Sequence, residues 1–279
     1  MRIGLAALVL VAVVATAGAQ PTSQNEGKRA LDALQSGDYA TALSLFRPLA
    51  DAGDPYAIFV MGQMYEQGAG MPRNLREAAR YYERAAALGE TSAMTNLGLM
   101  HEHGRGVPQD FKEAMRLYAL AAEAGNAVAQ TNLANAYREG KLVDRDDAQA
   151  AKWLRKAATQ GDPFAQFNLA RMYETGVGVD RDLKEAAALY VAAASAGLAS
   201  AQLNLGVAYA SGRGVAKDPV EAYRWFNLAA AGAEDDATRD NATRNRDLIA
   251  QTMTREDVGR AQALSREWKP RPGGMVQPK

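Results

Sequence analysis

The chain has 279 residues, with 32 Lys and Arg against 32 Asp and Glu, 48% hydrophobic residues and no cysteine. An even charge balance gives no sign of a nucleic-acid or acidic-lipid partner. The lack of cysteine removes disulfides, thiolate zinc sites and thiol nucleophiles together.

Residues 1–19 carry one basic residue, Arg2, then an apolar run from Ile3 to Ala15 and the small residues Ala17, Gly18 and Ala19. This order predicts a secretory signal peptide cut before Gln20. An apolar run of about 13 residues rises only ~20 Å as a helix, short of the ~30 Å hydrocarbon core, which disfavours the alternative of an uncleaved anchor. The expected location is therefore the periplasm, with no membrane insertion after processing and no cysteine to carry a lipid.

From Glu26 to Gly53 the chain reads as a helical hairpin. Ala30, Leu31 and Leu34 come first, Ser36-Gly37-Asp38 breaks the pattern, and Tyr39, Ala42, Leu43, Phe46 and Leu49 follow. The segment from Gly37 to Leu43 resembles a tetratricopeptide second helix, so residues 26–53 are expected to form an amino-terminal capping pair. Asp54-Pro55 then opens a regular array.

That array repeats every 36 residues without an insertion. One column holds Gly68, Gly104, Gly140, Gly176 and Gly212, and another Tyr65, His101, Tyr137, Tyr173 and Tyr209. A third holds Tyr82, Tyr118, Leu154, Tyr190 and Phe226. The copies run 54–89, 90–125, 126–161, 162–197 and 198–232. In the fourth, Ala165, Leu169, Ala170, Tyr173 and Gly176 mark one face of a first helix, helix A. The glycine stops it because that residue enters the left-handed region without a Cβ penalty. A second glycine follows two residues later, at 70, 106, 178 and 214; Leu142 breaks that column, so the third loop should differ. With Gly176 taken as the left-handed stop, valine is expected to do more damage there than at Gly178.

Helix B starts at a recurring capping box: Asn74 with Glu77, Asp110 with Glu113, Asp146 with Gln149, Asp182 with Glu185 and Asp218 with Glu221. Small residues such as Ala85 and Ala86, opposite Gly or Ala at 62, 98, 134, 170 and 206, allow close approach of the two helices. The aromatic column is expected to fill the space between consecutive copies. After Gly232 the register is lost, and residues 235–268 read as carboxy-terminal capping helices, the last capped by Thr254 and carrying Val258, Ala261, Leu264 and Trp268. Residues 269–279, rich in Pro and Gly, are expected to be a disordered tail.

The columns A-x-x-x-L-G-x-x-Y-x-x-G-x-G-V, D-x-x-E-A and an aromatic before A-A-x-x-G closely resemble the Sel-one-like repeat (SLR), a relative of the tetratricopeptide repeat. The fullest match is Ala201, Leu205, Gly206, Tyr209, Gly212, Gly214 and Val215. The resemblance implies an all-α fold, a right-handed α/α superhelical solenoid of five 36-residue helix pairs between two helical caps, acting as a scaffold for protein contacts.

Chemistry is sparse. His101 and His103 are the only imidazoles, and two positions apart on a helix they point about 200° from each other, so a shared metal is not expected. No G-x-S-x-G, S-x-x-K, H-E-x-x-H or P-loop occurs. No catalytic residue, metal or cofactor is assigned. By analogy with tetratricopeptide arrays, helix A lines a concave groove. There Asn96, Asn132, Asn168 and Asn204 form a ladder, while Gln63, Asn135 and Arg171 vary in chemistry at equivalent positions. These seven are the candidate partner-binding residues, because amides can donate to and accept from a peptide backbone. The competing reading is that each Asn bridges to the neighbouring repeat's backbone, since buried amides usually serve the scaffold.

The expected function is a non-enzymatic periplasmic interaction scaffold that binds a peptide segment or envelope protein and regulates a membrane sensor or an envelope assembly. The alternative is a cell-wall or β-lactam binding or hydrolysing protein. An exported branch of the family is linked to that chemistry, and its disulfide framework is absent here.

Overall fold

Each repeat folds as two helices because its caps and glycines stop the chain at fixed points. The computed structural model describes residues 21–271; the expected signal peptide and residues 272–279 lie outside them. The described residues form fourteen α-helices and no strand, and the chain divides into two compact units between Glu90 and Thr91. The first unit holds α1 (Pro21–Ser36), α2 (Tyr39–Asp51), α3 (Pro55–Gln67) and α4 (Leu75–Ala87). The second holds α5 (Thr91–His103), α6 (Phe111–Glu123), α7 (Ala127–Glu139), α8 (Asp147–Thr159) and α9 (Pro163–Thr175). It continues with α10 (Leu183–Ser195), α11 (Ala199–Ser211), α12 (Pro219–Gly232), α13 (Asp236–Ala250) and α14 (Arg255–Glu267). The fold is an all-α repeat solenoid of helix pairs.

The caps form, but only half of each box does. Asp110 accepts from the Glu113 amide at 3.0 Å and Asp146 from the Gln149 amide at 2.9 Å. The cap residue's own N–H, however, goes to helix A instead of to the Glu or Gln. Asn74, Asp110, Asp146, Asp182 and Asp218 donate to the carbonyls of Tyr65, His101, Tyr137, Tyr173 and Tyr209. The tyrosine column is thus tied to the start of helix B through its backbone. The freed carboxylates of Glu77, Glu113 and Glu221 pair with Arg80, Arg116 and Arg224 one turn on.

The two glycine columns do different work from that expected. Gly176 has φ 76° and Gly178 has φ 71°, so both sit in the left-handed region. A Cβ on Gly176 would meet the Arg181 Cβ at 3.3 Å, a tight contact that a small shift of the neighbouring side chain relieves, whereas one on Gly178 would lie 2.6 Å from the Asp147 carbonyl carbon, a backbone atom. Asp147 is the first residue of the preceding helix B, and Gly70 and Gly214 lie in the same way against Tyr39 and Leu183. The second glycine is therefore the point where successive helix pairs come into backbone contact, and the ranking expected from sequence is reversed. At Leu142, where this glycine is missing, φ is not positive and the side chain folds inward against the core.

The aromatic column also sits differently. A Cβ on Gly98 would lie 2.7 Å from the Tyr118 ring, one on Gly62 the same distance from Tyr82, and one on Gly206 2.6 Å from Phe226. These rings fill the space between helices A and B of their own copy. Contact between copies comes instead from the continuous hydrophobic cluster that runs from Ala114 to Leu228 in the second unit. Three buried glutamines reinforce it: Gln130, Gln166 and Gln202 donate through Nε2 to the carbonyls of Ala122, Ala158 and Ala194, at the end of the preceding helix B.

The carboxy-terminal helices cover the last repeat. Ala261 is buried with Val220 and Tyr223, and Ile249, Met253, Val258 and Leu264 pack around them. Beyond α14 the chain turns back: Trp268 lies 3.8 Å from where a Gly197 Cβ would stand, and the Arg271 N–H donates to the Ser195 carbonyl at 2.8 Å. Residues 269–271 of the expected tail are thus placed against the end of α10.

Candidate partner-binding face on the A helices

A helix interior places residues three or four apart on one face, so Asn132, Asn135 and Glu139 of α7 line one side of that helix. The structure divides the candidate residues by what their amides do. Asn168 accepts from Arg138 Nη1 at 2.9 Å, and Asn204 donates to the Tyr190 hydroxyl at 3.1 Å. Both partners belong to the preceding repeat, so these two brace the stack through side chains, while the backbone bridge belongs to the glutamines above. Arg171 is exposed, with its guanidinium 6.0 Å from the Phe167 ring centre on its own helix. Asn96 is half-buried on α5; Gln63 is half-buried on α3, in the other unit.

Asn132 and Asn135 differ from these. Asn132 Nδ2 and Asn135 Oδ1 are buried atoms with no hydrogen-bond partner. Both line a cleft of about 140 Å³ bounded by Leu99, Glu102 and His103 of α5, Asn132, Asn135, Ala136 and Glu139 of α7, and Leu142 of the irregular loop. A buried donor or acceptor left unmatched costs about 1–3 kcal/mol, so this pair of atoms is expensive for folding alone. Two of its walls are departures from the repeat: Leu142 replaces a loop glycine, and Asn135 stands in the column of Leu99 and Val207.

The charges around the cleft are unbalanced. Glu102 Oε2 accepts from the Tyr118 hydroxyl at 2.7 Å, and among the described residues no cation pairs with Glu102 or Glu139. The basic side chains nearby are engaged elsewhere, Arg138 with Asn168 and Lys141 over the Phe111 ring. His101 turns away from the cleft, its Nδ1 3.3 Å from the Pro108 carbonyl, while His103 is exposed at the rim. No group of three His, Asp or Glu among the described residues is placed to hold a metal ion. No described helix is long and apolar enough to cross a membrane. An apolar hollow of about 310 Å³ lies between α11, α12 and α13, with Val207, Phe226, Leu248 and Ile249 among its walls.

Glu102 and the bridging glutamines escaped the sequence reading. Their signal was a column of fixed spacing: Glu66, Glu102 and Glu174 stand where the aromatic position is tyrosine, and Arg138 and Ala210 where it is Leu154 or Phe226.

Paired helices of 13 or 14 residues, closed by a left-handed glycine and an Asn or Asp cap and stacked in register, define a helical-repeat protein of the kind that presents a long surface. The Sel1 repeat matches five consecutive segments, residues 55–90, 91–126, 127–162, 163–198 and 199–233, and the chain belongs to that family. It is similar to a Sel1 repeat protein from Oxalobacter formigenes of known crystal structure, with 28% identity and a TM-score of 0.74 over 87% of this chain and 99% of that one. The immunity proteins Pa5087 and PA5088 from Pseudomonas aeruginosa share the fold at 19% identity. Their TM-scores are 0.52 and 0.53, over 83% and 84% of both chains. No curated protein matches the chain. The Sel1 repeat fold is typical of protein–protein interaction scaffolds.

Proposed function

We propose that this protein is a non-enzymatic interaction scaffold of the periplasm, and that the face formed by its A helices holds a segment of an envelope protein. The supporting observation is the contrast within one column of asparagines: Asn168 and Asn204 spend their amides on the stack, while Asn132 and its neighbour Asn135 keep a donor and an acceptor unused beside an open cleft. What sets these two apart from other unmatched buried atoms, such as Gln202 Oε1 within the stack, is that both residues line a cleft a ligand can enter. The apolar run and small-residue site at residues 1–19 support export.

Photo-crosslinking in intact cells tests the reading. A crosslinker at position 139 or 171, on helix A, should yield adducts with one partner. The same group at exposed Lys152, on helix B, should not. Equal adducts from all three positions, or none, would overturn the assignment of the face. Retention of the mature chain in the cytoplasmic fraction after osmotic shock would overturn the location.

A further inference from the structure

We propose that the cleft between α5 and α7 is a subsite for a basic side chain, lysine or arginine, of an extended partner segment. This rests on the scaffold reading and specifies the chemistry of its ligand. The orphaned Asn132 Nδ2 is a donor and the orphaned Asn135 Oδ1 an acceptor, one helical turn apart. Together they call for one acceptor and one donor, which a backbone carbonyl and a cationic side chain of the same segment supply. The apolar walls, Leu99 and Leu142, suit an aliphatic stem.

The charges choose among occupants. Glu102 and Glu139 bring two carboxylates to the cleft with no cation paired to either among the described residues, and the nearby Lys141 and Arg138 are held by other partners. An anionic side chain would be repelled, and a purely apolar one would leave both amide atoms unmatched. A metal ion is a poor occupant because Glu102, His103 and Glu139 do not converge as a ligand set. A single water is too small, its share of liquid being roughly 30 Å³ against a cleft of about 140 Å³. A lysine or arginine residue of an extended segment meets all four requirements: its ammonium or guanidinium donates to the carboxylates and to Asn135 Oδ1 and brings compensating charge, its stem lies against the apolar walls, and the segment's backbone carbonyl accepts from Asn132 Nδ2.

The probes are four blocked pentapeptides, Gly-Leu-X-Leu-Gly, with X lysine, arginine, norleucine or glutamate, titrated into the mature chain and followed by the side-chain amide signals of its asparagines in nuclear magnetic resonance. The lysine and arginine peptides should shift the Asn132 and Asn135 signals and bind about tenfold more tightly than norleucine, weakening as salt screens the carboxylates. Glu139→Gln, at an exposed position that leaves the fold intact, should remove most of that preference. Equal response to all four peptides, no response to any, or an unchanged preference in Glu139→Gln would overturn the subsite. Signals that move around Arg171 or Val207 but not at Asn132 and Asn135 would overturn it while leaving the scaffold reading standing.

Discussion

Tyr190 donates its hydroxyl to Glu174, sixteen residues earlier in the same repeat, at 2.8 Å, and the same oxygen receives Asn204 Nδ2 from the next repeat at 3.1 Å. One phenol therefore ties helix A to helix B and one copy to the next. Tyr190→Phe would leave a half-buried carboxylate and an amide without this partner and is expected to cost about 1–3 kcal/mol. The fifth repeat shows the compensated form, Phe226 with Ala210 in the glutamate column. Tyr190→Phe combined with Glu174→Ala should therefore cost less than the two single changes added together, in a double-mutant cycle of denaturant midpoints. Strict additivity would mean the hydroxyl and carboxylate are not coupled.

The same pairs predict an alkaline weakness. Burial pushes the Tyr118 and Tyr190 phenols well above their ordinary range, and the hydrogen bonds to Glu102 and Glu174 push them further. A folded-state value raised above the unfolded one of about 10 gives stability that is complete below pH about 10 and is lost as pH rises toward the folded value. Melting temperature should hold up to that point and then fall, with a smaller fall in Tyr118→Phe. Phenolate absorbance should show these two tyrosines ionising only with unfolding. Titration of both at the ordinary phenol value in the folded chain would contradict the geometry.

At the glycines, alanine scanning should separate backbone conformation from space. Gly176→Ala meets mainly the left-handed penalty, about 1–2 kcal/mol. Gly178→Ala meets that penalty and the carbonyl of Asp147 as well, so it should be the more destabilising by at least about 1 kcal/mol. Equal losses in chemical denaturation would place the contact between repeats elsewhere.

Why the ranking inverted shows which features a sequence of this kind carries. Gly176 ends a helix, and ends are written locally in the cap, the glycine and the spacing, so helix boundaries and the terminal helices are legible from residue types alone. Gly178 matters because of Asp147, 31 positions away, and no local pattern signals the approach of a distant backbone. The tyrosine hydroxyls follow the same logic. The ring's burial is legible from its column, whereas the Glu174 partner is visible only when two columns are compared across all five copies. The cleft was least legible, because Leu142 reads only as a break in the loop glycines and Asn135 only as a variable position, and the fold alone brings them to one place.

Asn135 offers the sharpest test of whether that place exists for binding. Its column holds Leu99 in the second repeat and Val207 in the fifth, so an apolar side chain suits the position in this scaffold. Asn135→Leu removes a buried acceptor that has no partner and adds apolar surface beside Leu99 and Leu142. It is expected to raise unfolding stability by about 1 kcal/mol, read from the denaturant midpoint at unchanged slope. The same change should lower affinity for the lysine pentapeptide, since the acceptor facing the ammonium is gone. A protein that gains stability and loses ligand at one residue has kept an unfavourable group for its function. Loss of stability in Asn135→Leu would mean the amide serves the fold after all, and the cleft would lose one of its two orphaned atoms as an argument.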